Sequence, residues 1–189
     1  MRHLNPSDRI MAALFHSAST RSAGFNLVDV GAMQPAVLVL TCVAMFIGAS
    51  PGSTGGGIKT TTVAVLFAGM RAELRGQTPR LLNRTVPEFV VRKAVGVAVL
   101  SLAIVVLAFT LLLLMEPQPP LDLGFEVVSA FTTTGLSTGV TPRLGVAGKL
   151  LILVMMFIGR IGPLTLALAF SRSVKPRSVE LPQERVLIG

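Results

Sequence analysis

Two short stretches carry the residue types best suited to chemistry. Ser22-Ala23-Gly24-Phe25 and Thr133-Thr134-Gly135-Leu136 each set one glycine after a hydroxyl-bearing residue and before a large apolar one. Each follows a short, largely apolar segment. The sequence offers no paired carboxylates for hydrolysis, no Ser/His/Asp or Cys/His set, and no metal-ligand spacing around His3, His16 or Cys42. Stretches of this kind can instead offer backbone carbonyls. Carbonyl oxygens in a row can replace the hydration shell of a cation, and glycine lets the backbone take φ/ψ values closed to other residues. Ser22, Ala23, Gly24 and Phe25 would supply carbonyls from one stretch, and Thr133, Thr134, Gly135 and Leu136 from the other. The competing reading is an ordinary turn outside a membrane.

A repeat favours the filter. Met-Phe-Ile-Gly occurs at Met45–Gly48 and again at Met156–Gly159. The offset between these copies also carries Ala23-Gly24-Phe25 onto Thr134-Gly135-Leu136. Two landmarks with one offset indicate two copies of one unit. Each copy reads as a short segment, a Ser/Thr/Gly turn and an apolar helix, the order of a re-entrant pore loop. Non-helical backbone at membrane depth requires burial in protein or a watery cavity, and a filter meets that requirement.

A second constellation is Gly52, Ser53, Thr54, Gly55, Gly56 and Gly57, followed by Lys59. It invites a phosphate-loop reading, but that pattern needs glycine directly before the lysine. Ile58 intervenes, and no strand precedes the loop, so a membrane ATPase is disfavoured. A break midway along a transmembrane helix fits better, because neither 35–49 nor 58–70 spans comfortably alone. Such a break could obstruct a pore and move to open it. Arg160 falls inside an apolar run, and an intramembrane charge marks a functional site by default. Its counterpart by the repeat is Ala49, at the edge of the glycine-rich break, so Arg160 is expected to face that break and hydrogen-bond its free carbonyls, the alternative being a side chain that snorkels to an interface. Glu126 is expected to meet a backbone amide or an arginine, His16 and Cys42 to be structural, and Arg21 to flank the first turn.

The elements that must position these residues follow from hydropathy. The chain has 189 residues, 51% hydrophobic and 14% charged, with mean hydropathy +0.72. That is a membrane composition, although Trp and Tyr, the usual interfacial residues, are absent. Short helices are expected at 8–19 and 121–132. A broken helix is expected over 35–70, and spans over 94–115 and 147–170. The twenty-two uncharged residues of Ala94–Met115 make about 33 Å of helix, enough for a bilayer core of ~30 Å. The net charge of +8 is concentrated in Arg71, Arg75, Arg80, Arg84, Arg92 and Lys93 and in the C-terminal tail. Basic residues flanking spans mark a cytoplasmic side rather than a nucleic-acid surface. The N-terminal MRHLNPSDR lacks the apolar core of a cleavable signal peptide.

The strings SASTRSAGFN (17–26), MFIGASPGSTGGGIKTTT (45–62), SAFTTTGLSTGVTP (129–142) and MFIGRIGPLT (156–165) together resemble the Trk/Ktr/HKT superfamily of potassium transporters. The resemblance implies an all-α multi-pass membrane protein with two helix–pore loop–helix repeats, half of a four-repeat pseudo-tetrameric pore. Residues 1–70 would be the third repeat without its outer helix. Residues 71–93 would be a cytoplasmic linker, 94–170 the fourth repeat and 171–189 a cytoplasmic tail. It also implies K⁺ at the filter residues, with Na⁺ left open, and gating by Gly52–Gly57 with Arg160 close by. The implied partners are the N-terminal half of the pore, a second copy in a homodimer, the lipid bilayer and a cytoplasmic nucleotide-binding regulatory subunit. The place implied is the cell membrane, with neither enzymatic activity nor a cofactor. The alternative is a truncated, non-conducting subunit that docks to a complete transporter.

Overall fold

The computed structural model describes residues 5–21, 23–48, 50–53, 55–82 and 84–162. Six α-helices dominate: α1 (Pro6–Ser19), α2 (Pro35–Phe46), α3 (Thr60–Arg75), α4 (Glu88–Met115), α5 (Pro120–Thr132) and α6 (Val146–Ile161). Proline stands at the first helical position of α1, α2 and α5, where its missing N–H is not needed and its φ is already helical. Gly76 ends α3 at φ +59, donating to Glu73 O while Gln77 N reaches Ala72 O, the closed end that a left-handed glycine permits. Glu116, just past α4, accepts from Gly145 N at 2.8 Å and so caps the start of α6.

Helical structure reaches into the expected linker 71–93 from both sides: α3 runs on to Arg75 and α4 begins at Glu88. Charge marks where a helix leaves lipid, not where its hydrogen bonds stop. The fold is also not purely helical. Arg80–Leu81 (β1) and Arg84–Thr85 (β2) pair antiparallel in the linker, between Pro79 and Pro87. Finally, α6 ends at Ile161, because Gly162 turns to φ +89, ψ 134. Arg160 therefore sits in the last turn of α6. The remainder of the expected span, 163–170, and the tail lie outside the described residues.

Helix α5 is the hub of the packing. Leu123, Val127, Ala130 and Phe131 meet Val105, Ala108 and Leu112 of α4 and Ile152 and Met155 of α6. Phe125 joins Val30, Leu38, Met45 and Leu136 in a second cluster on the α2 side. Phe46 stacks on Phe131 with ring centroids 6.3 Å apart. Opposite these seams, α4 exposes Val99, Leu102, Val106 and Leu107, an outer face suited to lipid. Its hydroxyls are satisfied within the helix, Ser101 to Val97 O and Thr110 to Val106 O. Among the described residues α4 is the helix long and apolar enough to cross a membrane by itself.

Candidate functional site

The C-termini of α1 and α5 converge on the two glycine turns. After α5 the chain closes with Thr133 N on Ala130 O at 3.1 Å and Thr134 N on Ser129 O at 3.0 Å. This helix end requires a left-handed residue, and that residue is Thr133 at φ +54. After α1, Ala23 N and Gly24 N both reach back to Ser19 O. Gly24 and Gly135, the repeat-related pair, take φ +68 and +87, so both turns use backbone that side chains disfavour. The two turns touch. A Cβ on Gly24 would overlap Thr134 O and lie 3.4 Å from Gly135 Cα.

Buried hydroxyls stitch the turns together. Thr132 Oγ1 and Thr134 Oγ1 are 2.8 Å apart, and Thr134 Oγ1 donates to Thr20 O at 3.4 Å. Ser19 Oγ donates to Phe25 O, which fixes the direction of that carbonyl. Beyond the second turn the chain is tied to α5 by Glu126. This buried carboxylate accepts from Ser137 Oγ, from Thr138 N at 3.1 Å and from Thr141 Oγ1 at 2.6 Å. The expectation of an amide partner for Glu126 holds. His16 Nε2 lies 3.3 Å from Thr41 Oγ1, a link between α1 and α2 that suits its expected structural role.

The glycine-rich loop is seated directly under the second turn. Its stems meet in a parallel bridge between Ile47 and Ile58, with Ile58 N on Phe46 O at 3.1 Å, so the chain leaves α2 and returns to the same level before α3. Gly56 N donates both to Thr132 O at 3.0 Å and to Thr133 Oγ1 at 2.9 Å. The space there is measured for glycine. A Cβ on Gly56 would stand 2.8 Å from Phe131 O and 3.0 Å from Gly159 O, and one on Gly159 would overlap Phe131 O. Lys59 Nζ closes the loop from below, donating to Ser53 O at 3.1 Å and Gly55 O at 2.5 Å.

The expected site residues thus come together in two groups, the turns around Gly24 and Gly135 and the loop around Gly56, joined through Thr132 and Thr133. Ser22 and Thr54 of the expected sets, and His3, lie outside the described residues. Gly52 is at the exposed tip of the loop at φ +81 with open space around it. Gly159, whose carbonyl borders Gly56, immediately precedes Arg160, which is exposed in the last turn of α6. The specific roles of Thr133 Oγ1 and Lys59 Nζ were missed from the sequence. A threonine where such a helix end favours glycine was the one signal for the first.

The arrangement has a clear electrostatic sense. The C-termini of α1 and α5, each equivalent to about half a negative charge, end at the two touching turns, and the glycine-rich loop is bonded to the second. The profile of a family described as TrkH, a cation transport protein, matches residues 1–181. The chain is 41% identical over 188 residues to Ktr system potassium uptake protein B of Bacillus subtilis, covering 99% of this chain and 42% of that protein. It is 42% identical over 190 residues to the protein of the same name from Vibrio alginolyticus, covering 100% and 42%. In fold it is similar to the crystal structure of the potassium transporter TrkH from Vibrio parahaemolyticus, with a TM-score of 0.75, 22% identity and coverage of 90% of this chain and 39% of that one. The chain therefore spans about two fifths of the length of the relatives it matches.

Proposed function

The chain belongs to the TrkH family of cation transport proteins, and on that premise we propose that it forms half of a potassium-conducting pore in the cell membrane. The observation that carries this reading is the convergence just described: two helix C-termini and two positive-φ glycine turns above a glycine-rich loop bonded to one of them. Ala23, Gly24 and Phe25, with Ser22, present carbonyls to the ion from one repeat. Thr133, Thr134, Gly135 and Leu136 present them from the other. Dehydration of K⁺ is offset by these oxygens and by the two helix termini. Movement is passive, driven by about 2.3 kcal/mol per charge for each 100 mV of membrane potential.

In this reading the loop from Gly52 to Gly57 obstructs the permeation path below the filter. Thr133 holds it from above, Lys59 from below, and Arg160 stands at its side. The first two repeats of the pore come from an N-terminal half, so that four turns complete the filter. Homodimer formation and a cytoplasmic nucleotide-binding regulatory subunit are part of the same proposal; the relatives' names, which describe one component of a potassium uptake system, support only that further components exist.

The test is potassium uptake in cells lacking their own uptake systems. The chain would be expressed alone and joined to a segment supplying the first two repeats. Uptake is expected only from the joined form, and Gly135→Val should abolish it while leaving membrane insertion unchanged. Insertion without uptake in every combination would favour the non-conducting docking subunit. Normal uptake by Gly135→Val would overturn the filter.

A further inference from the structure

The ribbon β1–β2 is small, basic and tipped by an exposed apolar side chain. Leu82 occupies the turn at φ +55 and is 95% exposed. A two-residue ribbon turn of this hand favours Asn or Gly, because left-handed backbone strains a bulky side chain. Neither burial nor backbone preference accounts for leucine there.

The position of the ribbon narrows the choice of contact. It does not project into water beyond the helices. Leu81 and Leu82 line a groove of about 580 Å³ that they share with Ala64, Phe67 and Leu74 of α3. Ala64 lies eleven residues before the end of α3, about 16 Å up the helix axis, so the groove reaches from the end of α3 back along its apolar stretch. Phe67, Met70 and Leu74 recur at helical spacing on this side and are exposed. Arg71, Arg75 and Arg80 rim the same groove, and Arg84 stands beside the tip across the ribbon. These four guanidiniums are exposed. The carboxylates of the segment, Glu73 and Glu88, line a separate pocket between α3 and α4.

Apolar side chains below a rim of arginines at the end of a membrane helix match the layering of a leaflet, acyl chains below and anionic headgroups above. The geometry points to this face as a binding site for an anionic phospholipid. Leu82 and Leu81 enter the acyl boundary beside Phe67 and Leu74, and Arg71, Arg75, Arg80 and Arg84 hold the headgroup phosphate. The ribbon thereby ties the end of α3, and through it the glycine-rich loop, to the inner leaflet. The inference rests on the membrane placement of α3 and α4 and not on which ion the pore passes.

The experiment uses the full chain with Cys42→Ser and Leu82→Cys, labelled at Cys with an environment-sensitive fluorophore. It is reconstituted into vesicles of phosphatidylcholine with or without phosphatidylglycerol. Quenching by shallow nitroxide-labelled lipid is expected with phosphatidylglycerol and is expected to be much weaker without it. Each arginine removed, Arg80→Ala or Arg84→Ala first, should raise the phosphatidylglycerol needed by about fivefold. Millimolar inorganic phosphate should not reverse the quenching. Native mass spectrometry of the unaltered chain should retain phosphatidylglycerol over phosphatidylcholine, which covers the case in which an arginine variant fails to insert. Quenching by aqueous iodide but not by lipid nitroxide would overturn the proposal and leave the face to a soluble protein. Equal quenching in both vesicle types, or release by free phosphate, would overturn the headgroup site.

Discussion

Thr133 shows what a single side chain does at the junction of the second glycine turn and the glycine-rich loop. Left-handed backbone costs a threonine about 1 kcal/mol relative to glycine, yet the helix end at α5 uses one. Its hydroxyl is the acceptor 2.9 Å from Gly56 N, and a hydrogen bond of this kind is worth about 1 kcal/mol. Thr133→Gly should therefore leave the melting temperature in detergent unchanged or raised, while loosening the loop and raising basal rubidium uptake of the joined pore. A lowered melting temperature with unchanged uptake would show that the hydroxyl serves the helix and not the loop. The glycines should rank by what a Cβ would meet. Gly159→Ala drives a methyl into Phe131 O, backbone that cannot yield, and should cost about 3 kcal/mol. Gly56→Ala should cost less, since its contacts are 2.8–3.0 Å. Gly52→Ala meets nothing within 4 Å and should cost only the strain of its positive φ, about 1 kcal/mol. Thermal melting of the three variants checks the order. The positive-φ glycines Gly24 and Gly135 were legible because the repeat aligned them. The Thr133 contact was not, because it joins residues 77 apart, and residue type alone does not say which donor a hydroxyl will meet.

At the scale of elements, hydropathy located the described α-helices and the ends at Ser19, Met115 and Thr132, but not the other ends. The expected 8–19 and 121–132 became Pro6–Ser19 and Pro120–Thr132, because proline and apolar spacing act locally. The ends of α3 and α4 were misplaced because Arg71, Glu73, Glu88 and Arg92 are as helical as their neighbours once outside lipid. The ribbon was missed because two-residue strands have no periodicity to read. The glycine-rich loop reads as a removable insert: its stems bridge at Ile47 and Ile58, and Lys59 holds only its carbonyls. Deleting Gly55–Gly57 should raise basal flux, and Lys59→Met should raise it less, since the bond from Gly56 to α5 survives. Unchanged flux in the deletion, with normal insertion, would remove the loop from the gate. The opposite effect is expected of Glu126→Ala. It strands the Thr138 N–H and two hydroxyls, should cost about 3 kcal/mol, and should lower uptake by letting the return segment of the filter drift. Uptake equal to the unaltered protein would make Glu126 a bystander.

At the scale of the whole molecule the packing is uneven, and in the proposed pore this imbalance marks the face where an N-terminal half would attach. Helix α5 is wrapped by α4, α6 and α2, and most of its length is buried. Its repeat counterpart α1 buries a single apolar side chain among the described residues, Ala12, and exposes Ile10, Met11, Leu14 and Phe15. The difference has a simple cause. In the second repeat α4 covers the pore helix from outside, and no described element does so for α1. A groove of about 750 Å³ between α1 and α2, lined by Ala13, Val37 and Leu40 among others, marks the uncovered side. Burying three such side chains would contribute about 5 kcal/mol, enough to decide whether the halves assemble. Ile10→Ser with Leu14→Ser should therefore weaken capture of the N-terminal half strongly, measured by co-purification. The melting temperature of the chain alone should barely move, because both core clusters lie elsewhere. If the double variant captures the other half normally, α1 faces lipid and the halves meet on another face. If it lowers the stability of the chain alone, α1 belongs to the core of this half, and the lopsided packing has another cause.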